Sequence, residues 1–250
     1  MSVIRVDAIQ KFFGDVRAVE DVSFSVGEGE IFGILGPNGA GKTTTVECVA
    51  GALVPDSGSV TVLGADPVRT PRFVRENVGY QLQSSTLPPA LRVGEAVDLF
   101  AAFYESSVDT AEVLDVVGLT AERRRPYGKL SGGQKQRLSI ALALIGAPRI
   151  AVFDELTTCL DPVGRRDIWQ LVERVRDSGV TVLLVTHFLD EVERLCDRLA
   201  LIDRGRTVFV GTPDQLREAV PTPAGEGSTL EDAYVRFLGS GRHTEQGQED

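Results

Sequence analysis

Gly36-Pro37-Asn38-Gly39-Ala40-Gly41-Lys42-Thr43-Thr44 follows the apolar run Ile31-Phe32-Gly33-Ile34-Leu35 and leads into a helical pattern over Thr45 to Ala52. The stretch fits G-x-x-x-x-G-K-[ST], a P-loop, in the strand-then-helix context that the motif requires. Crowding a triphosphate against backbone calls for residues without Cβ, so Gly36, Gly39 and Gly41 let several N–H groups converge on phosphate oxygens. The helix N-terminus adds its partial positive charge. Lys42 then reaches the β- and γ-phosphates as a point charge, and the Thr43 hydroxyl is placed to bind Mg²⁺. The bland alternative, a Gly-rich turn carrying a surface lysine, leaves the flanking strand and helix unexplained.

The composition sets the outer limits. The 250 residues suffice for one large domain or a domain with an insertion. The net charge of −10 provides no global basic field for nucleic acid, which disfavours a DNA- or RNA-dependent ATPase. The longest strongly apolar stretch, Val180 to Leu189, falls far short of the roughly 20 residues of a spanning helix. Met1 to Val6 lacks the apolar core of a signal peptide. Cys48, Cys159 and Cys196 are odd in number and form no C-x-x-C pair, so neither a disulfide framework nor a zinc site is indicated. A reduced, cytoplasmic protein is expected.

Val3 to Ile9 and Val22 to Val26 alternate as strands and read as an antiparallel region before the P-loop. Between them Phe12 and Phe13 adjoin a turn at Gly14; a ring there can stack on adenine or pack into the hairpin. Ser59 to Gly64 and Val78 to Gln83 read as short strands and Thr70 to Asn77 as a helix. Helical spacing then governs Val93 to Tyr104, Thr110 to Val117 and Ser131 to Ile145, so residues 84–147 read as a helical insertion.

Arg149 to Glu155 is an apolar strand ending in two carboxylates, which puts Asp154 and Glu155 at the carboxyl edge of a parallel sheet, where the P-loop also emerges. Asp154 can thus share Mg²⁺ with Thr43, and Glu155 can orient and deprotonate an attacking water. Gly164 to Asp177 reads as a helix and Val180 to Val185 as the next buried strand, closed by Thr186-His187, which brings His187 to the same edge. Leu199 to Gly205 and Thr207 to Gly211 are a last pair of strands. Pro221 to Ser228 is a Pro/Gly-rich linker, Thr229 to Leu238 a short amphipathic helix, and Gly239 to Asp250 a disordered tail.

Leu130-Ser131-Gly132-Gly133-Gln134, continuing as Lys135-Gln136-Arg137, lies between the P-loop and the Asp-Glu strand and resembles the signature motif of ATP-binding cassette (ABC) ATPases. Physically it is a second anion site: Ser131 is a good N-cap, and Gly132-Gly133 bares N–H groups at a helix start. A nucleotide held by residues 36–44 cannot easily use that site within one subunit. The resemblance implies a head-to-tail dimer with ATP between one chain's P-loop and the other's Ser131, Gly132, Gly133 and Gln134. It also implies an α/β P-loop NTPase (RecA-like) core with an N-terminal antiparallel β region and an inserted α-helical subdomain. The ABC domain would span 1–220, with core segments 1–83 and 148–220.

By the same resemblance Phe13 matches the aromatic that stacks on adenine. Gln83 matches the glutamine that senses Mg²⁺ and links core to insertion, with Gln81 as the alternative. Asp154 and Glu155 match Walker B, Asp161 the D-loop and His187 the switch histidine. Two departures stand out: where the family usually reads Pro-Thr-x-Gly-Leu-Asp-Pro, this chain has Leu156-Thr157-Thr158-Cys159-Leu160-Asp161-Pro162. Leu156 replaces a residue that fixes φ, and Cys159 one without Cβ. The groups that perform chemistry remain, so hydrolysis is expected.

Thr186-His187-Phe188-Leu189-Asp190-Glu191-Val192-Glu193 and Thr229-Leu230-Glu231-Asp232-Ala233-Tyr234 resemble single-cassette subunits of bacterial drug and antibiotic exporters. That resemblance implies an ATPase using ATP and Mg²⁺, peripheral on the cytoplasmic side of the membrane through a separate transmembrane permease, and paired with a second ATP-binding subunit, as a homodimer in the simplest case. No nucleic-acid partner is expected. The rival readings are a soluble ABC ATPase acting on ribosomes or DNA, and a regulatory cassette disabled by Leu156 and Cys159.

Overall fold

The computed structural model describes residues 1–81, 87–158, 160–219 and 229–240. Gln83, Cys159, the linker at 221–228 and the tail at 241–250 lie outside the described residues, and the expectations placed on them with them. Strands β1 (Ser2–Phe13) and β2 (Val16–Gly27) form the expected antiparallel pair, longer than their alternation suggested, and β4 (Ser57–Val62) adds to β1 antiparallel. The core is parallel: β5 (Val78–Gln81), β6 (Ile150–Asp154), β7 (Thr181–Thr186), β3 (Ile31–Leu35) and β8 (Arg198–Asp203) lie side by side in that order.

One junction makes the two regions a single sheet. β9 (Arg206–Gly211) runs antiparallel to β8, and its Arg206 pairs in parallel with Asp21 of β2. Asp203 to Arg206 turns tightly, with Arg204 and Gly205 both at positive φ (48° and 74°), the twist that a two-residue hairpin loop prefers. Gly205 in turn accepts hydrogen bonds from the backbone of Glu20 and Asp21.

Every residue of β3, β6 and β7 is buried, which explains their unbroken apolar runs. Alternate side chains feed opposite layers. Phe32, Ile34, Val152, Leu183 and Val185 face the antiparallel region, whereas Leu35, Phe153 and Leu184 face the helices. Each such fully buried side chain stabilises the fold by about 1.5–3 kcal/mol.

Between β5 and β6 the described regular structure is helical only: α3 (Val93–Ala101), α4 (Thr110–Val116), α5 (Gly132–Leu144) and two 3₁₀ turns. Helix α1 (Lys42–Val49) follows β3 and begins three residues before the pattern suggested, because Gly41 at φ 95° turns the chain straight into it. After α2 (Pro71–Asn77) and, beyond β6, α6 (Pro162–Asp177), two short helices depart from the reading: α7 (Leu189–Leu195) and α8 (Pro213–Glu218). Neither was read from its spacing, although Thr212 and Gln215 close a capping box around Pro213.

Helix α9 (Leu230–Ser240) corrects the assignment of Gly239 and Ser240 to a disordered tail. Its apolar face is anchored by buried Leu230 and Ala233 and by Phe237, whose ring meets Phe209 edge-on at 5.7 Å. A glycine near the end of so anchored a helix costs only about 1 kcal/mol, too little to stop it. Among the described residues no helix is long and apolar enough to cross a membrane.

Candidate active site

The loop after β3 is shaped by its own neighbours before any ligand. A Cβ on Gly36 would lie 2.1 Å from the Ile202 carbonyl oxygen, and one on Gly41 2.3 Å from that of Ala18. These two glycines are therefore required by backbone packing, a reason beyond the room for phosphate that the motif suggested. Gly39 has the open side: φ is 80° and nothing lies within 4 Å of an added Cβ. The hairpin turn braces the loop from behind, Gly205 N–H donating to Ala40 O at 3.0 Å. Lys42 is only 5% exposed and folds its ammonium back onto Gly36 O at 2.8 Å and Pro37 O at 3.0 Å. Burial pulls its pKa down, against the opposing pull of Glu155 and Asp154.

A cleft of about 490 Å³ opens over this loop, lined by Asn38, Gly39, Lys42 to Thr44, Glu155 and, at its mouth, Phe13. Phe13 is half exposed, with the Lys11 ammonium 5.7 Å from its ring centre. It is thus not a core residue, which removes the hairpin-packing alternative as its full explanation.

At the carboxyl edge, Thr43 donates its hydroxyl to Asp154 Oδ2 at 3.1 Å. Asp154 Oδ1 is buried and has no partner among the described residues. No cluster of three or more His, Cys, Asp or Glu side chains gathers among those residues. A hydroxyl and one orphaned carboxylate oxygen beside the P-loop cleft fit Mg²⁺, which takes one or two protein oxygens and completes its shell with phosphate and water. Gln81, the last residue of β5, is buried beside this pair, its Oε1 accepting from Asp154 N–H at 3.1 Å. From sequence Gln81 is only the alternative to Gln83 by resemblance; its contact with the Asp154 backbone had no signal beyond a glutamine ending an apolar strand.

Burial pushes the Asp154 carboxyl up to about 6; nearby Glu155 adds to the rise, while the Thr43 hydrogen bond and Lys42 oppose it. Its folded pKa therefore lies above the ordinary value of about 3.9, so the metal-free fold holds this proton more tightly than the unfolded chain. The associated stability is full below about pH 4 and is lost as pH rises through about 6. Asp154→Asn is expected to gain melting temperature relative to the parent across that window, measured in chelator, and to level off above it. A difference that stays constant with pH would refute this account.

Glu155 follows β6 directly, held in the left-handed region at φ 51° by its N–H bond to Val185 O at 2.9 Å. Such strain in a non-glycine residue concentrates at functional sites. Its Oε1 lies 3.2 Å from His187 Nδ1, and the His187 ring sits 4.1 Å from that of Phe188. The parallel register that sets Leu35 beside Thr186 and Asp154 beside Val185 thus brings the P-loop, both acids and the histidine to one edge.

The helix start expected at Ser131 is capped as its residues suggested. Ser131 caps α5, its Oγ accepting from Gln134 N–H at 3.2 Å, while Gln134 Oε1 accepts from Ser131 N–H at 3.0 Å. The Gln134 amide also donates to Glu122 at 3.1 Å, so both of its ends hold the helix start. An added Cβ on Gly133 would meet nothing within 4 Å. A cleft of about 550 Å³ joins Ser131 to Gln134 with Asp161, which caps α6 by accepting from Gly164 N–H at 2.7 Å. It shares no lining residue with the P-loop cleft. Leu156, the departure from proline, is buried in the helix-side core, where its apolar side chain packs.

Residues 19–158 match the pattern of the ABC transporter family. The chain is 39% identical over 226 residues to Nod factor export ATP-binding protein I of Burkholderia orbicola, covering 88% of this chain and 74% of that protein. It is 36% identical over 242 residues to the probable multidrug ABC transporter ATP-binding protein YbhF of Escherichia coli, covering 95% of this chain and 42% of YbhF. An ATP-binding subunit of an ABC transporter matches its structure with a TM-score of 0.82 at 27% identity, over 94% of this chain and 99% of the other. A dimeric ATP-binding cassette in a post-hydrolysis state, bound to ADP and Pi, matches with a TM-score of 0.73 at 26% identity, over 84% and 98%.

Proposed function

The chain belongs to the ABC transporter family as an ATP-binding subunit with ATPase activity, and from that premise we propose that it powers export of a drug, antibiotic or other hydrophobic compound through a separate transmembrane permease. The observation that carries the catalytic part is the single sheet edge holding the Thr43–Asp154 pair and the Glu155–His187 pair. In this reading residues 36–44 cradle the phosphates and Phe13 stacks on the base. Thr43 and Asp154, with Gln83, hold Mg²⁺, whose charge would neutralise the phosphate oxygens. Glu155 takes the proton of the attacking water, and His187 keeps it oriented while contacting the γ-phosphate side. The Ser131–Gln134 cap and Asp161 of a second copy complete the site, a reading supported by the two clefts of one chain sharing no lining residue.

For the permease we assign the groove of about 720 Å³ between α2 and the end of α3, lined by Arg72, Arg75, Tyr80, Phe103 and Tyr104. Phe103 is 73% exposed there, a large apolar ring beside Arg75 and an Arg72 already paired with Glu76 and Glu105, which also line the groove; that mix of apolar and charged groups suits an amphipathic segment. The helical insertion at 84–147 would carry that contact to the signature site, and the chain would sit peripherally on the cytoplasmic side of the membrane.

The test is to tag the Glu155→Gln chain, lock it with ATP in its native cell, solubilise gently and identify what co-purifies. A multi-span membrane protein in stoichiometric amount is expected. Recovery only from the soluble fraction with ribosomes or nucleic-acid enzymes would replace export by the soluble-ATPase reading.

A further inference from the structure

Glu191, in the first turn of α7, is 1% exposed, yet none of the roles assigned above uses it. Its Oε1 accepts from the Thr157 hydroxyl and from Trp169 Nε1 at 3.3 Å, and its Oε2 from the Thr186 hydroxyl. Three neutral donors face it, and no cation pairs with it among the described residues. Burying a carboxylate without a cation is expensive, so a purely structural need would be met more cheaply by an apolar side chain. What the carboxylate offers is an acceptor-only group with room for several donors and no proton of its own to place.

The donors show what is being held. Thr157 lies two residues after Glu155, and Thr186 immediately precedes His187. The Thr186 hydroxyl, while donating to Glu191, accepts from Phe188 N–H at 3.0 Å, closing a turn around His187. One carboxylate therefore spans the loop that follows β6 and the loop that follows β7. Trp169 of α6 supplies a third anchor. From the other side the Arg165 guanidinium lies 4.6 Å over the Phe188 ring and bonds Asp190 at 2.8 Å, gripping the same segment. Glu155 itself is fixed independently by its bond to Val185, so the variable that this clamp controls is the position of the histidine.

We propose that Glu191 is a positioning residue that holds His187 against Glu155, acting through the Thr157 and Thr186 hydroxyls. The inference rests on the proposed roles of Glu155 and His187. Glutamine at 191 keeps the volume but turns an N–H₂ toward groups that are already donors, and valine at 157 deletes one arm of the clamp.

The experiment compares single-turnover ATP hydrolysis by the full chain carrying Glu191→Gln or Thr157→Val, each alone and combined with His187→Ala. Alone, each is expected to lower the rate about tenfold while KM for ATP stays within about twofold, since misplacing a catalytic group by a fraction of an ångström costs rate rather than binding. Thr157→Ser, which keeps the hydroxyl, is expected to restore the rate; it also keeps the test alive if Glu191→Gln fails to fold. Combined with His187→Ala, the further loss should shrink to about twofold or less, because the group being positioned is gone. An undiminished tenfold loss in that background would overturn the positioning role while leaving the Glu155–His187 reading intact. A His187→Ala chain with parental turnover would overturn both.

Discussion

Glu155→Gln is expected to bind ATP with parental affinity and to hydrolyse it about 10²–10⁴-fold more slowly, the range that loss of a general base produces. The amide has the size of the carboxylate and inherits the same backbone, so the strained φ of 51°, the Val185 bond and the approach to His187 all persist. It cannot accept the proton of the attacking water. Lys42, Thr43 and Asp154, the groups proposed to hold nucleotide and metal, are untouched by the change. Titration with a fluorescent ATP analogue and phosphate release measured side by side separate the two effects. Parental hydrolysis by this variant would refute the base assignment, and a matching collapse of affinity would move Glu155 from chemistry to binding.

What the sequence made legible here is chemistry whose constraints are local. The P-loop, the Asp154–Glu155 strand end and the Ser131 cap each specify a short backbone shape, and the buried strands β3, β6 and β7 announce themselves as continuous apolar runs. The joins between distant segments were not legible. Gly36 and Gly41 are needed because Ile202 and Ala18 press against them, and nothing within the loop says so. The single sheet depends on one pairing, Asp21 with Arg206, between segments that carry no shared pattern. Gln81 acquires a role only when β5 lies beside β6. Glu191 looks in sequence like one more acid in the charged turn that opens α7; its burial follows from Thr157 and Trp169, which reach it from earlier elements. The short helices α7 and α8, seven and six residues long, were not legible either, although α4, as short as α7, was.

Lys42→Ala is expected to weaken ATP binding about 100-fold or more, since charge-assisted hydrogen bonds contribute roughly 1.5–3 kcal/mol each and this ammonium would serve two phosphates. The position amplifies the effect. An exposed lysine gains little from an incoming anion, because water already solvates both; Lys42 is buried and its charged form is disfavoured, a cost that Glu155, Asp154 and the two loop carbonyls offset in part. A triphosphate therefore relieves an existing penalty as well as adding bonds. The same ammonium also ties Gly36 O and Pro37 O together, so alanine removes a donor from each, with Pro37 O keeping that of Ala40 N–H, and should lower thermal stability even without nucleotide. Lys42→Arg separates the two contributions: it keeps the charge, but its planar fork does not fit a site built around a compact ammonium, so affinity should fall there too. Unaltered ATP affinity in Lys42→Ala, measured at fixed ionic strength, would take Lys42 out of the phosphate-cradle account and leave Arg17 as the other described cation lining that cleft.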